Sequence, residues 1–244
     1  MKALGLIGYP LKHSFSKSYF TEKFRKESIK GFSYELFPLE NIASFPELCK
    51  AQNPMGLNVT IPYKEKIIPY LDELDSYARK IGAVNVIKFQ NGKTIGYNTD
   101  CHGFKVSLQK LLPQAIKSNA LILGTGGASK AVKFALDEMK IPSKFVSRHA
   151  EKGLTYEEIR KVPEILRENR IIINTTPLGT FPEIENKPDI PYEYLSTNHF
   201  LHDLVYNPEE TSFMKAGKMQ GAKVKNGYEM LVEQAEKAWE IWNS

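Results

Sequence analysis

Two cysteines in 244 residues, Cys49 and Cys101, lack the number and spacing of a disulfide framework or a thiolate metal site. They read as thiols of a reducing compartment. No window approaches the ~18 unbroken apolar residues of a membrane-spanning helix. The opening Met1-Lys-Ala-Leu-Gly-Leu-Ile-Gly8 enters a short strand-like run rather than the longer apolar region of a secretory signal, so a cytoplasmic location is expected. Repeats and low-complexity tracts are absent. Charge of one sign is not concentrated either: the net charge of +5 comes from 33 Lys and Arg against 28 Asp and Glu, interleaved as in Thr21-Glu-Lys-Phe-Arg-Lys-Glu27. That interleaving argues against a nucleic-acid stripe and suits a small anionic ligand.

What is present is the composition of a globular protein, 42% hydrophobic and 25% charged. At 244 residues the chain exceeds one domain of roughly 100–200 residues, which predicts two. Strand-like runs over 3–7, 33–37, 56–60 and 85–89 alternate with helix-like stretches, clearest over 16–26 and 76–81. A second series begins near residue 120, with strands over 120–124, 144–147, 171–175 and 200–205 and helical stretches over 128–139 and 156–168. The alternation predicts an α/β protein: an N-terminal α/β domain, then a Rossmann-like, doubly wound parallel sheet. A helical pattern over 103–112, ended by Pro113, joins the two series. The last helix, over 228–242, gathers Met230, Leu231, Gln234, Ala238 and Trp242 near one stripe that must dock, and the first domain is the expected place. The expected division is 1–102, 103–225, and a returning C-terminal helix in 226–244.

The segment Asn58-Val-Thr-Ile-Pro-Tyr-Lys64 ends a strand in hydrogen-bonding side chains and a lysine. On an extended backbone Asn58 and Thr60 share a face, with Val59 and Ile61 packing behind. Pro62 then ends the ladder and brings Lys64 to the strand's carboxyl end. Gly82-Ala-Val-Asn85 and Gly96-Tyr-Asn-Thr-Asp100 add further polar tips. A lysine beside a carboxylate can supply and orient a proton. The competing readings are a surface lysine and a helix-capping Asp100, and a capping Asp can also be catalytic.

In the second half Gly124-Thr125-Gly126-Gly127-Ala128-Ser129 follows an apolar strand and opens a helix, the context that raises a glycine-rich match above background. Its glycines permit a tight turn and close approach of the backbone to a pyrophosphate, which sits at the helix N-terminus. The competing reading is a glycine turn without a ligand. At the end of the next strand, where an NAD site carries an acidic residue, stand Ser147, Arg148 and His149, with Lys152 nearby. Cations there suit a 2′-phosphate, so NADP is expected over NAD, against the plainer reading of solvated loop charges. The run Ile171-Ile-Ile-Asn174 leads into Thr175, Thr176, Pro177 and Leu178 at the carboxyl edge, where cofactor contact is expected.

Taken in order, these motifs resemble the shikimate dehydrogenase family. His13-Ser14-Phe-Ser16 is similar to its Ser-x-Ser motif, and the segments ending at Lys64, Asn85 and Gly103 to its substrate-domain signatures. Gly124–Ser129, Asn174-Thr-Thr-Pro-Leu-Gly179, Asp203-Leu-Val-Tyr206-Asn-Pro208 and Gly227-Tyr-Glu-Met230-Leu-Val-Glu-Gln234 continue the likeness over nearly the whole chain. The resemblance implies Lys64 and Asp100 as the catalytic pair, and Ser14, Ser16, Asn58, Thr60, Asn85 and Gln234 around a carboxylate and ring hydroxyls, with Tyr206 beside them. It implies cofactor contacts that extend to Val205, Gly227 and Met230. The implied reaction is reversible reduction of 3-dehydroshikimate by NADPH, in aromatic amino acid and chorismate biosynthesis, by a monomer or homodimer without metal. Ser147 and His149 flank Arg148 where the family usually has Asn and Thr; Val86 and Thr180 replace its usual Thr and Met.

Other readings stay in view. A quinate/shikimate dehydrogenase with relaxed cofactor use is the near alternative, against which Ser16 and Arg148 speak. A non-catalytic NADP(H)-sensing regulator on the same fold is the distant one, and a sensor has no need of both Lys64 and Asp100. His102 reads as a polar residue of a helix's first turn, Cys101 as packing, and Trp239 and Trp242 as docking contacts.

Overall fold

The computed structural model describes residues 2–11, 14–114 and 116–244, so His13 lies outside the described residues. The chain divides into two compact units, Met1–Asp100 with Gln234–Ser244, and Cys101–Glu233.

The first unit contains β1 (Lys2–Gly8), α1 (Phe15–Lys26), β2 (Phe32–Pro38), α2 (Phe45–Gln52), β3 (Gly56–Val59), β4 (Glu73–Leu74), α3 (Ser76–Ile81), β5 (Val86–Gln90) and β6 (Lys93–Tyr97). Its sheet is mixed, in the order β2-β1-β3-β5-β6-β4. β1 runs parallel to β2 and β3, because α1 and α2 supply the crossovers that parallel neighbours need. β5 then runs antiparallel to both β3 and β6. Asn91 and Gly92, with φ of 53° and 75°, form the two-residue turn between β5 and β6, a conformation that Asn-Gly adopts readily.

Leu4, Leu6, Phe20, Tyr34 and Val86 form one core with Ala235, Ala238 and Trp242. The last three come from the C-terminal part of the final helix, so Ala238 and Trp242 of its expected stripe pack on this unit, whereas Met230 and Leu231 fall in the second. Trp242 donates its indole N–H to the Ile87 carbonyl at 3.1 Å, and Trp239 lies edge-on to Phe32 at 5.0 Å, so both tryptophans are docking contacts. Buried Lys23 of α1 pairs with Glu27 at 2.8 Å and with Glu236 of that final helix at 2.9 Å.

The second unit takes in most of α4 (Asp100–Leu111), then β7 (Ala120–Leu123), α5 (Gly127–Glu138), β8 (Ser143–Ser147), β9 (Leu154–Thr155), α6 (Tyr156–Lys161), α7 (Glu164–Glu168), β10 (Ile171–Asn174), β11 (Phe200–Asp203), α8 (Ser212–Met219), β12 (Lys223–Lys225) and the start of α9 (Tyr228–Asn243). All six strands are parallel, in the order β12-β11-β10-β7-β8-β9. Numbered from β7, that is the 3-2-1-4-5-6 order of a doubly wound dinucleotide fold, as expected. β7, β10 and β11 are buried along their whole length, the pattern of strands covered on both faces.

Some expectations need correction. Ile61 does not pack behind the β3 edge: the strand ends at Val59, and Ile61 is 73% exposed in the turn that follows. α4 begins at Asp100 rather than 103, which puts Asp100 inside the first turn. The helical stretch over 156–168 is two short helices, because Pro163 has no N–H to continue α6.

Gly56 has a packing role: a Cβ there would collide with the Trp242 indole. Gly56→Ala is therefore expected to lower the unfolding free energy by about 1–3 kcal/mol, the usual range for overpacking, and to alter the fluorescence of Trp242. Urea denaturation followed by tryptophan emission checks both.

Candidate functional site

In the first unit, the carboxyl end of β3 and the approach to α4 hold a connected set of polar side chains. Tyr63 N bonds back to Thr60 O at 2.9 Å, and the buried Tyr63 hydroxyl donates to Leu39 O at 2.5 Å, which anchors the turn after β3. Lys64 leaves that anchored turn. Its Nζ lies 2.6 Å from Asp100 Oδ2, with side-chain exposures of 18% and 9% for the two residues. The other carboxylate oxygen, Asp100 Oδ1, accepts from Asn85 Nδ2 at 2.9 Å.

Asn85 is 3% exposed and has little orientational freedom. Thr99 N, which can only donate, gives to Asn85 Oδ1 at 2.7 Å, so the amide nitrogen must face the other way. There Nδ2 meets Asp100, Thr99 Oγ1 at 3.0 Å and Gln234 Oε1 at 3.4 Å. Asn58 adjoins this group: its Nδ2 donates to Asn85 O at 3.3 Å and its Oδ1 accepts from the Tyr34 hydroxyl at 2.6 Å. Ser14 caps α1, accepting from Lys17 N at 3.3 Å, and Ser16 stands half-buried in the first turn of that helix. Thr60, half-buried, stands directly after β3 with its main chain bonded to Ile7 O at 2.9 Å.

The structure thus brings Lys64, Asp100, Asn85, Asn58 and Gln234 into one hydrogen-bonded group, which Tyr34 joins through Asn58. Tyr206 belongs to the second unit, in the turn that leaves β11. Two members of the network escape a reading of the sequence. Thr99 stands inside a motif already singled out, but its backbone N–H is what matters. Tyr34 looks like one more aromatic of a core strand.

In the second unit the strand ends carry the glycine turn. Gly124 adopts φ +106°, a region that favours glycine, and its N–H bonds to Val146 O at 2.9 Å. Gly126 precedes α5 and is exposed, with nothing within 4 Å of where a side chain would stand. Ser129, buried, turns its hydroxyl onto the Gly126 carbonyl at 2.6 Å and so braces the turn. Ser147 is buried at the end of β8 and accepts from His149 N at 3.1 Å, while Arg148, His149 and Lys152 are exposed.

At the end of β10, Thr175 is held by Leu123 O, to which its N and Oγ1 donate at 3.0 and 2.7 Å. Thr176 N and Oγ1 donate to Asn174 Oδ1 at 3.0 and 2.6 Å, and Leu178 N donates to Thr176 Oγ1 at 3.3 Å. Pro177 between them is exposed. Buried Asp203 anchors this edge, accepting from Asn174 Nδ2 at 2.9 Å, Val205 N at 3.0 Å and Thr211 Oγ1 at 2.6 Å. Gly227 N bonds to Val205 O at 3.1 Å, and Met230 is buried in the first turn of α9. Cys101 is buried and His102 exposed in the first turn of α4. No group of three or more His, Cys, Asp or Glu able to hold a metal occurs among the described residues, nor any helix long and apolar enough to cross a membrane.

Residues 6–87 match the family model of the shikimate dehydrogenase substrate binding domain. Shikimate dehydrogenase (NADP(+)) of Methanococcus maripaludis is 41% identical, covering 99% of this chain and 91% of that protein. The enzyme of the same name from Methanosphaera stadtmanae is 39% identical, covering 98% and 90%. Among solved structures, shikimate 5-dehydrogenase from Thermus thermophilus, in complex with NADP(H) and shikimate, superposes with a TM-score of 0.86. It is 29% identical, and the match covers 99% of this chain and 93% of that one.

Asp203 gives the second unit a pH signature. Burial raises its carboxyl from the ordinary 3.8 to about 6, against the partial pull of its three donors. Between those values the native state holds a proton that the unfolded chain has lost, so this group's contribution to stability falls as pH rises. Over about two pH units the loss is on the order of 3 kcal/mol. Asp203→Asn lacks that slope. The unfolding free energy of the wild type minus that of the variant should therefore decline between pH 4 and pH 6, as read by urea denaturation across that range.

Proposed function

This chain belongs to the shikimate dehydrogenase family, and we propose that it catalyses the reversible NADP-dependent reduction of 3-dehydroshikimate to shikimate. In this reading it serves aromatic amino acid biosynthesis in the cytoplasm. The first unit holds the substrate and the second the nucleotide.

The observation that carries the reading is the Lys64–Asp100 pair at 2.6 Å, with Asn85 on the carboxylate's other oxygen. When a ketone is reduced, negative charge develops on its oxygen, and a donor must be ready there. Both Asp100 oxygens already accept, so the proton within reach is on Lys64 Nζ, and Asp100 orients it. Asn58, Asn85 and Gln234 offer amide groups fixed by the chain, with Ser14, Ser16 and Thr60 supplying hydroxyls. This set suits a carboxylate and several ring hydroxyls, and the family likeness gives Tyr206 of the second unit a part in binding the same substrate.

The second unit fits a dinucleotide phosphate. The open face of Gly126 and the N–H groups that begin α5 make an anion cradle, and Arg148 and Lys152 supply cations for a 2′-phosphate. Gly124, Thr125, Gly127 and Ala128 complete the turn, Ser147 joins Arg148 at the end of β8, and Thr175, Thr176, Pro177, Leu178, Val205, Gly227 and Met230 form the facing edge. NADPH supplies the hydride when bound.

The reading is tested by shikimate oxidation with NADP and with NAD, side by side. Turnover with NADP is expected, and Lys64→Ala should lower kcat by about 10²–10⁴-fold, the usual span for general acid–base catalysis. No turnover of shikimate by protein that still binds NADPH would sink the substrate assignment. Arg148→Ala is expected to raise KM for NADP by about tenfold, one bidentate charged contact's worth, and to leave KM for NAD within about twofold.

A further inference from the structure

Tyr34 sits in the middle of β2, packed face to face on Phe20 at 4.8 Å between ring centroids. Burial raises its phenol well above the ordinary range, so it is a neutral hydroxyl with one proton to give. Where that proton goes follows from the neighbours. The Asn85 carbonyl can only accept, and Asn58 Nδ2 lies 3.3 Å from it, so the Asn58 amide cannot be turned round. Asn58 Oδ1 therefore faces the phenol, and at 2.6 Å the Tyr34 hydroxyl must donate to it. Its proton being spent, the phenol oxygen is left as an acceptor only. The relay Tyr34 to Asn58 to the Asn85 carbonyl runs in one direction. It leaves the second hydrogen of Asn58 Nδ2 as a donor of fixed direction.

We propose that Tyr34 is a positioning residue of the substrate site, its hydroxyl fixing the direction in which Asn58 presents a donor N–H to an oxygen of the bound hydroxy acid. This rests on the substrate assignment above. Tyr34 acts through Asn58, and it makes no contact with the Lys64–Asp100 pair in the hydrogen-bond network. Its loss should accordingly weaken binding of the hydroxy acid and spare the chemical step.

Tyr34→Phe keeps the ring and its stack on Phe20 and removes only the hydroxyl. The expected result is a KM for shikimate raised about tenfold, with kcat and the KM for NADP within about twofold of wild type. In the Asn58→Ala background the same substitution should add less than about twofold, because the group it orients is gone. A merely structural tyrosine would give multiplicative effects in the double variant, and that outcome, or an unchanged KM in Tyr34→Phe, overturns the proposal. Wild-type protein that turns over shikimate while Tyr34→Phe keeps its KM defeats this inference alone. A wild type without shikimate turnover defeats the substrate assignment and this inference with it. Should Tyr34→Phe not fold, 3-fluorotyrosine at position 34 keeps the ring and offers a more acidic, stronger donor. It is expected to lower KM for shikimate by about twofold, and an unchanged or higher KM overturns the proposal.

Discussion

A buried carboxamide with no freedom to flip underlies the first unit. Burying an amide without partners costs several kcal/mol, so Asn85 persists only because both its oxygen and its nitrogen are satisfied. The oxygen is claimed by a main-chain N–H, that of Thr99, and the direction of every other bond follows. The nitrogen is turned towards Asp100, and Asp100 then has one oxygen left for Lys64. The main chain of Asn85 is also engaged, its N–H with Tyr97 O at 3.0 Å and its carbonyl with Val59 N at 2.8 Å. One residue thereby ties the end of β3, the start of β5, the end of β6 and the first turn of α4 to a common geometry.

The second unit solves a similar problem with a carboxylate in place of a carboxamide. Asp203 at the end of β11 faces Asn174 at the end of β10, and Thr176 N fixes the Asn174 amide as Thr99 N fixes that of Asn85. In both units a donor that cannot accept sets the polarity of a buried amide, and the amide shapes a turn at the strand edge. The strands behind are fully buried, so the edge is where polar groups meet solvent or ligand. Difference in charge brings a difference in behaviour. Asn85 is indifferent to pH, whereas Asp203 is held above its ordinary range by burial and links the glycine-turn edge to protonation.

Much of this is legible in the sequence, and for identifiable reasons. The parallel strands of the second unit announce themselves as unbroken apolar runs, as in Ile171-Ile-Ile, and the glycine turn falls between a strand and a helix as its motif requires. Polar clusters at strand ends mark Lys64, Asn85 and Asp100 as belonging together, and the described network joins them. β6 escapes notice although Asn91-Gly92 announces a hairpin, because its Lys-Thr-Ile-Gly-Tyr has weak alternation. α2, α8 and β12 are too short for periodicity to speak. Ile61 is misplaced when alternation is carried two residues past the end of its strand. Tyr34 is invisible for a deeper reason: alternation shows that a tyrosine is buried, and only the folded structure shows what its hydroxyl touches.

The arrangement around Lys64 and Asp100 also bears on how a charge pair can work in a half-buried place. Removing one partner of such a pair strands the other without compensation, which is why exposed pairs are common and buried ones need further bonds. In the proposed reaction Lys64 gives up its proton and for that interval loses its charge. Asp100 then keeps its negative charge with Asn85 Nδ2 still bonded to Oδ1, in the first turn of α4, where free N–H groups also favour an anion. The carboxylate is therefore supported in both states of the lysine, by groups that do not change protonation. A pair in which each partner relied wholly on the other would resist the proton transfer it is meant to perform. In the proposed reaction the third member, an amide fixed by a backbone N–H, keeps the carboxylate partnered while the lysine's charge changes.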